Sequence, residues 1–200
     1  MLSFSVRGRV VTIRFGFCMT LLCLFLLTGD TLFPCFICCM LHECGHLAVC
    51  MLLHLAVREL EFGCGGLTLK LQSSPETLSI GRQMLLHGGG ILSSLLFAAI
   101  AALLSCCGMQ TELWVWVNLS LAVFHLIPAP GLDGGRLWEL LGERLFPAER
   151  LGLWEFAGQG IAFLIFALFA AGALTCGEIP AAIASGLLAS CCICRFPSKK

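Results

Sequence analysis

Charge is what this sequence most lacks. Only 12% of its 200 residues are charged against 58% hydrophobic, and the mean hydropathy is +0.96. A soluble domain needs far more polar surface, so the composition excludes one and leaves a polytopic membrane protein. No basic run stands anywhere and the formal net charge is zero, which excludes the electrostatic footprint of a nucleic-acid-binding protein. Long polar stretches are missing too. At about 20 residues per span there is room for about six membrane helices and for no sizeable domain outside the bilayer. A disulfide framework is also absent despite fourteen cysteines. Most of them (Cys18, Cys23, Cys35, Cys38, Cys39, Cys50, Cys106 and Cys107) lie inside apolar runs, where cysteine behaves as a small hydrophobe. Cys35 and Cys38 form a C-x-x-C, and Cys191, Cys192 and Cys194 crowd the C-terminus, patterns that a second metal or lipidation would also use.

Several segments are legible against this apolar background. Arg7, Arg9 and Arg14 precede the apolar run Phe15–Thr28. That layout is like a signal peptide, but no small-residue cleavage pattern follows, so it reads as an uncleaved first span. A second span covers 31–57. From Arg58 to Ser79 the chain turns polar. Glu59-Leu60-Glu61-Phe62 alternates, as do Leu67, Leu69 and Leu71 with Thr68, Lys70 and Gln72, and Gly63-Cys64-Gly65-Gly66 between them is turn chemistry. This predicts a β-hairpin between the second and third spans. Ser74-Pro75-Glu76 supplies an N-cap, an N1 proline and an early acid for a short interfacial helix. Further spans are expected at about 83–106, 112–127, 156–175 and 179–194. Trp114, Trp116, Trp138 and Trp154 fall near span ends, where amphipathic rings prefer the interface. The expected fold is an all-α polytopic membrane protein of about six transmembrane helices with one small hairpin. It forms a single domain over 1–200, with its core at about 31–140.

All twelve lysines and arginines fall in segments 1–14, 58–82, 128–155 and 195–200. The alternate loops, around Asp30, Cys107–Glu112 and Cys176–Glu178, hold none. The positive-inside rule then puts both termini in the cytoplasm.

The chemistry gathers at Leu41-His42-Glu43-Cys44-Gly45-His46-Leu47, inside the second apolar run. On a helix His42 and His46 project from one face, spaced to grip one zinc ion, with Glu43 beside them as a proton acceptor. Ionisable groups in hydrocarbon are functional suspects by default. Zinc needs a further protein ligand. Most acidic residues lie in evidently polar loops, but Asp133 follows the run Trp114–Ile127, in His125-Leu126-Ile127-Pro128-Ala129-Pro130-Gly131-Leu132-Asp133-Gly134-Gly135. That stretch breaks a membrane helix, which is tolerated at depth only where it lines a protein-walled or water-filled cavity. A turn aspartate before two glycines is the bland reading of Asp133. Its company with His42 and His46 favours a third ligand. His54 and His87 read as hydrogen-bonded interior or pore-lining residues.

HECGH followed by PAPGLDGG resembles the site-2 protease family of intramembrane zinc metalloproteases, with its H-E-x-x-H and N-x-x-P-x-x-x-L-D-G motifs. The resemblance runs from about Thr31 to Leu140 and takes in the glycine-rich Gly88-Gly89-Gly90. It implies one zinc ion bound by His42, His46 and Asp133, Glu43 as general base, and His125, Pro128 and Gly134 as substrate-binding positions. Two departures stand out: His125 replaces the family's asparagine, and the glycine triplet replaces its Gly-Pro.

The resemblance further implies a multi-pass protein of a bacterial cell membrane. It would cut a membrane-embedded or membrane-associated protein near the cytoplasmic face and release a regulatory factor. The lipid bilayer and a regulatory membrane protein are its other implied partners. The loop between the second and third spans has no room for a PDZ domain, and only six residues follow the sixth span, too few for a CBS module. What remains is most similar to the compact six-span branch that processes a sporulation sigma factor. Two rival readings use the same residues. A catalytically inactive homologue would bind membrane clients without cutting them, and a metal transporter would string its ligands along a path and need no base at Glu43.

Overall fold

A computed structural model describes residues 2–6, 9–15, 17–19, 32–63, 66–72 and 77–194. The strands are β1 (Leu2–Val6), β2 (Arg9–Ile13), β3 (Val57–Gly63) and β4 (Gly66–Leu71). The helices are α1 (Leu32–Leu52), α2 (Ile80–Cys106), α3 (Glu112–Leu126), α4 (Asp133–Leu145), α5 (Ala148–Thr175) and α6 (Ile179–Cys194). The chain divides into two compact units, Met1–Val123 and Phe124–Lys200.

In the first unit the strands form one sheet in the order β1-β2-β3-β4. The predicted hairpin is β3–β4, antiparallel with Leu60 opposite Leu69. It is half of a larger element, because β2 pairs parallel to β3, with Val11 opposite Leu60, and β1 pairs antiparallel to β2. This corrects the all-α expectation: Leu2–Val6 and Arg9–Ile13 pair as antiparallel strands, and the next strand of the sheet lies some fifty residues away. The alternation divides the sheet as its period requires. Leu60, Leu69 and Leu71 pack with Val57, Cys50 and Leu86, where the sheet meets the ends of α1 and α2. Glu59, Glu61, Thr12 and Lys70 meet on the other face. Thr12 Oγ1 donates to Glu59 (2.8 Å), and Lys70 pairs with both glutamates.

The helical hairpins turn where the sequence supplies a left-handed residue. After α2, Gly108 (φ +87°) lets the Met109 amide reach back to the Leu104 carbonyl. After α5, Gly177 (φ +78°) does the same for Glu178 and Ala173. Both are helix ends of the kind that glycine stabilises because it has no Cβ to clash. The second unit packs Ile127, Ala129, Ala162, Phe166, Ala189 and Cys192 into one core. Helix α4 leans on the start of α5 through Trp138 and Trp154. Their rings stack at 4.0 Å, and each indole N–H donates to the other's main-chain carbonyl.

Among the described residues three helices are long and apolar enough to cross a bilayer: Phe33–Leu52, Ile80–Cys106 and Ala148–Thr175. Leu92, Leu96 and Leu103 on α2 and Leu168 and Phe169 on α5 are exposed, an arrangement stable only where lipid replaces water. The expected fourth and sixth spans are apolar helices of 15 and 16 residues. The expected first span, 15–28, falls mostly outside the described residues, as does the helix start at 74–76. Six spans are therefore more than the structure shows.

Candidate metal centre

In the first unit α1 carries His42 and His46 one turn apart, with ring centroids 5.1 Å apart and planes at 74°. Both are buried, His42 at 1% exposure. Helix α2 lies against them and presents Leu86, Gly90 and Ser94, which share a face because they are spaced by four. Each of the three has a task. His46 Nδ1 lies 2.8 Å from the Leu86 carbonyl oxygen. A carbonyl can only accept, so Nδ1 carries the proton and Nε2 keeps its lone pair. His42 Nδ1 lies 3.0 Å from Ser94 Oγ, which is fully buried. Between them Gly90 leaves a space. A Cβ built there would stand 2.5 Å from His42 Nε2 and closer still to His46 Nε2. The two Nε2 atoms thus face one small volume over Gly90, each ring oriented through its other nitrogen. This is the donor arrangement zinc takes from paired imidazoles, and the residues present fit the ion.

The helices come this close because Gly45, the fourth residue of HECGH, meets Gly89. A Cβ on Gly89 would stand 2.9 Å from the Gly45 carbonyl oxygen and 2.8 Å from Val49 Cγ2. Ser93 Oγ donates to the Leu41 carbonyl at 2.7 Å and ties the crossing. Glu43 is half-buried on α1. Two residues at this crossing carry no motif in the sequence. Asn118 is 1% exposed, and its amide nitrogen donates to the Trp114 carbonyl (2.9 Å) and to Cys38 Sγ (3.1 Å), one turn before His42. Ser94 is the other. The pair Ser93-Ser94 in an apolar helix is the available signal, but the partner of Ser94 cannot be read from it.

In the second unit His125 ends α3 and Asp133 opens α4. His125 Nδ1 lies 3.0 Å from Asp133 Oδ2. A carboxylate accepts, so the ring donates. The loop between them is held tightly. A Cβ on Gly134 would stand 2.6 Å from the Ile127 carbonyl oxygen, and one on Gly135 2.8 Å from the Ala129 carbonyl carbon. Glycine is what lets the first turn of α4 sit on the Leu126–Ala129 main chain. Pro128 is half-buried in this loop and lines a shallow open cleft with Pro130, Gly135, Trp138 and Glu155. The predicted site residues thus fall into two groups, each described within its own unit: His42, Glu43 and His46, and His125, Pro128, Asp133 and Gly134.

No protein-family model and no curated protein sequence matches the chain. Among solved structures, the site-2 protease from Methanocaldococcus jannaschii aligns with 100% of this chain and 97% of its own, at a TM-score of 0.64 and 18% identity. At that identity the likeness establishes a shared fold.

Proposed function

We propose that the chain is an intramembrane zinc metalloprotease of the site-2 type, with one zinc held by His42, His46 and Asp133. The observation that carries this reading is the convergence of the two Nε2 atoms over Gly90, with the His46 proton placed on the far nitrogen by Leu86. The shared fold supports it. When bound, zinc lowers the pKa of a coordinated water to about 7 and polarises the scissile carbonyl. Glu43 accepts the proton of the attacking water and returns it to the leaving amine. Ser94 and the Leu86 carbonyl keep the two rings from turning. Amides inside a membrane helix are already hydrogen-bonded, so the substrate must unwind locally and water must reach it. The Pro128–Leu132 segment, bordering an open cleft, supplies irregular main chain for that purpose.

The substrate in this reading is a membrane-embedded or membrane-associated protein, cut near the cytoplasmic face to release a regulatory factor. The positive-inside distribution places both termini on that side. The sporulation role implied by the resemblance belongs to the same proposal, as does a regulatory membrane partner. The test is a set of four variants in purified, reconstituted protein. His42→Ala, His46→Ala and Asp133→Ala should each lose zinc and cleavage of a membrane substrate, whereas Glu43→Gln should keep zinc and lose cleavage. Normal cleavage by Glu43→Gln would overturn the mechanism, and full zinc content in Asp133→Ala would remove the third ligand.

A further inference from the structure

The structure gives His125 a partner that its sequence position does not suggest. Its Nδ1 donates to Asp133 Oδ2 at 3.0 Å, with side-chain exposures of 21% and 13%. Each group has its own support. Asp133 sits in the first turn of α4, which Gly134 and Gly135 let rest on the Leu126–Ala129 backbone. The His125 ring meets Phe124 edge-on at 5.7 Å, and Phe124 in turn packs on Phe166 in the core of the second unit. The hydrogen bond therefore joins two groups whose separation the fold has already set.

We infer that His125 is a positioning residue for Asp133: its N–H holds one carboxylate oxygen so that the other is presented in a single orientation to the metal. This rests on the zinc reading above. A carboxylate free to rotate must lose that freedom on coordination, and one already oriented does not. Outer hydrogen bonds of this kind contribute about 10–100-fold to metal affinity. Only the N–H is required. Nδ1 of histidine and Nδ2 of asparagine are both bonded to Cγ, so asparagine carries a donor at the same bond distance from the main chain.

The experiment measures zinc affinity by chelator competition in detergent-solubilised full-length protein, together with the visible spectrum of the Co²⁺-substituted form. His125→Ala and His125→Leu should bind zinc about 10–100-fold more weakly, and His125→Asn should bind it as the parent does. At saturating Co²⁺ all three should keep the parent's ligand-field bands, because the metal's own ligands are unchanged. Thermal unfolding of the metal-free proteins separates a folding defect from a binding one, and if His125→Ala is unstable the comparison of His125→Asn with His125→Leu decides. Parental affinity in His125→Ala would overturn the inference, and so would His125→Asn binding as weakly as His125→Ala. Altered Co²⁺ bands would make His125 a ligand and overturn it too. Each of those outcomes leaves the zinc reading standing. A parent protein that binds no zinc sinks both.

Discussion

Replacing Gly88, Gly89 and Gly90 by alanine, one at a time, should give three different outcomes from three adjacent sites. All three lie inside α2, so alanine contributes about 1 kcal/mol of helix propensity at each. At Gly88 nothing lies within 4 Å of the added methyl, and the gain should stand alone: zinc affinity unchanged and thermal stability equal or higher. At Gly89 the methyl stands 2.8 Å from Val49 Cγ2 and 2.9 Å from the Gly45 carbonyl oxygen, where ordinary contact begins near 3.4 Å. One of those obstacles is rigid main chain, so α1 and α2 must separate and the melting temperature should fall.

At Gly90 the obstacles are two imidazoles, at 2.5 Å from His42 Nε2, 2.8 Å from His42 Cδ2 and nearer still to His46 Nε2. Side chains can turn aside. An overpacking cost of about 1–3 kcal/mol is partly offset by the helix gain, so the protein still folds. The turned ring loses its hydrogen bond to Leu86 or Ser94 and no longer faces its partner. If that cost of about 1–3 kcal/mol falls on the metal-bound geometry, zinc affinity drops about five- to 150-fold. Zinc content after dialysis and chelator competition would measure it, alongside thermal unfolding without metal. Parental zinc affinity in Gly90→Ala would refute the idea that the two nitrogens share one ion above this glycine. So would a zinc loss in Gly88→Ala equal to that in Gly90→Ala.

Reporters inserted after Lys70 and after Glu143 should read as cytoplasmic and one near Gln110 as external, following the charge distribution; an external signal at Lys70 would reverse the orientation. The sheet should loosen in acid. A hydrogen bond from Lys70, then one from Arg14, holds the Glu61 carboxyl below the usual carboxylate range, and bonds from Thr12 and Lys70 do the same for Glu59. A depressed carboxyl stabilises fully above its ordinary value of about 4.3 and ceases to as pH falls through the lowered value. Lys70, raised by Glu61 and then Glu59, stabilises below about 10.4 and fails only as pH climbs through its own raised value. Amide exchange in β3 and β4 should therefore show extra acid-side opening. The double variant Glu59→Gln with Glu61→Gln should lack that opening; if it opens identically, the ion pairs do not govern the sheet.

Much of the fold is readable in the sequence because its causes are local. Helices α1, α2, α3 and α6 begin and end within a few residues of the apolar runs that predict them, since the pattern of apolar burial is written residue by residue. The β3–β4 alternation is equally plain. Strand β1 carries its own alternation in Leu2-Ser3-Phe4-Ser5-Val6, but arginines beside an apolar run imitate a leader. Strand β2 is as hard to read. Its parallel partner in β3 is remote in sequence, and no local pattern announces such a pairing. Helix α4 escapes a sequence reading because Asp133-Gly134-Gly135 has the chemistry of a turn, and glycine is a poor helix former. Contact with the Leu126–Ala129 main chain makes glycine necessary there and overrides propensity.

The same division runs through the candidate site. The residue types and spacing of HECGH need only the sequence, because a helix puts residues four apart on one face. Which nitrogen of His46 keeps its lone pair is settled by a carbonyl 40 residues along the chain, and the His42 ring by a hydroxyl 52 residues along. The space both rings face exists because one glycine of a triplet, and not its neighbours, comes to rest beneath them. Such contacts belong to the packing of α2 on α1, and periodicity within either helix says nothing of the other's register. His125 shows the limit most directly. Sequence places it where a substrate-holding group is expected, and only the fold brings its N–H to Asp133, because the loop between them closes through two glycines set against main-chain carbonyls.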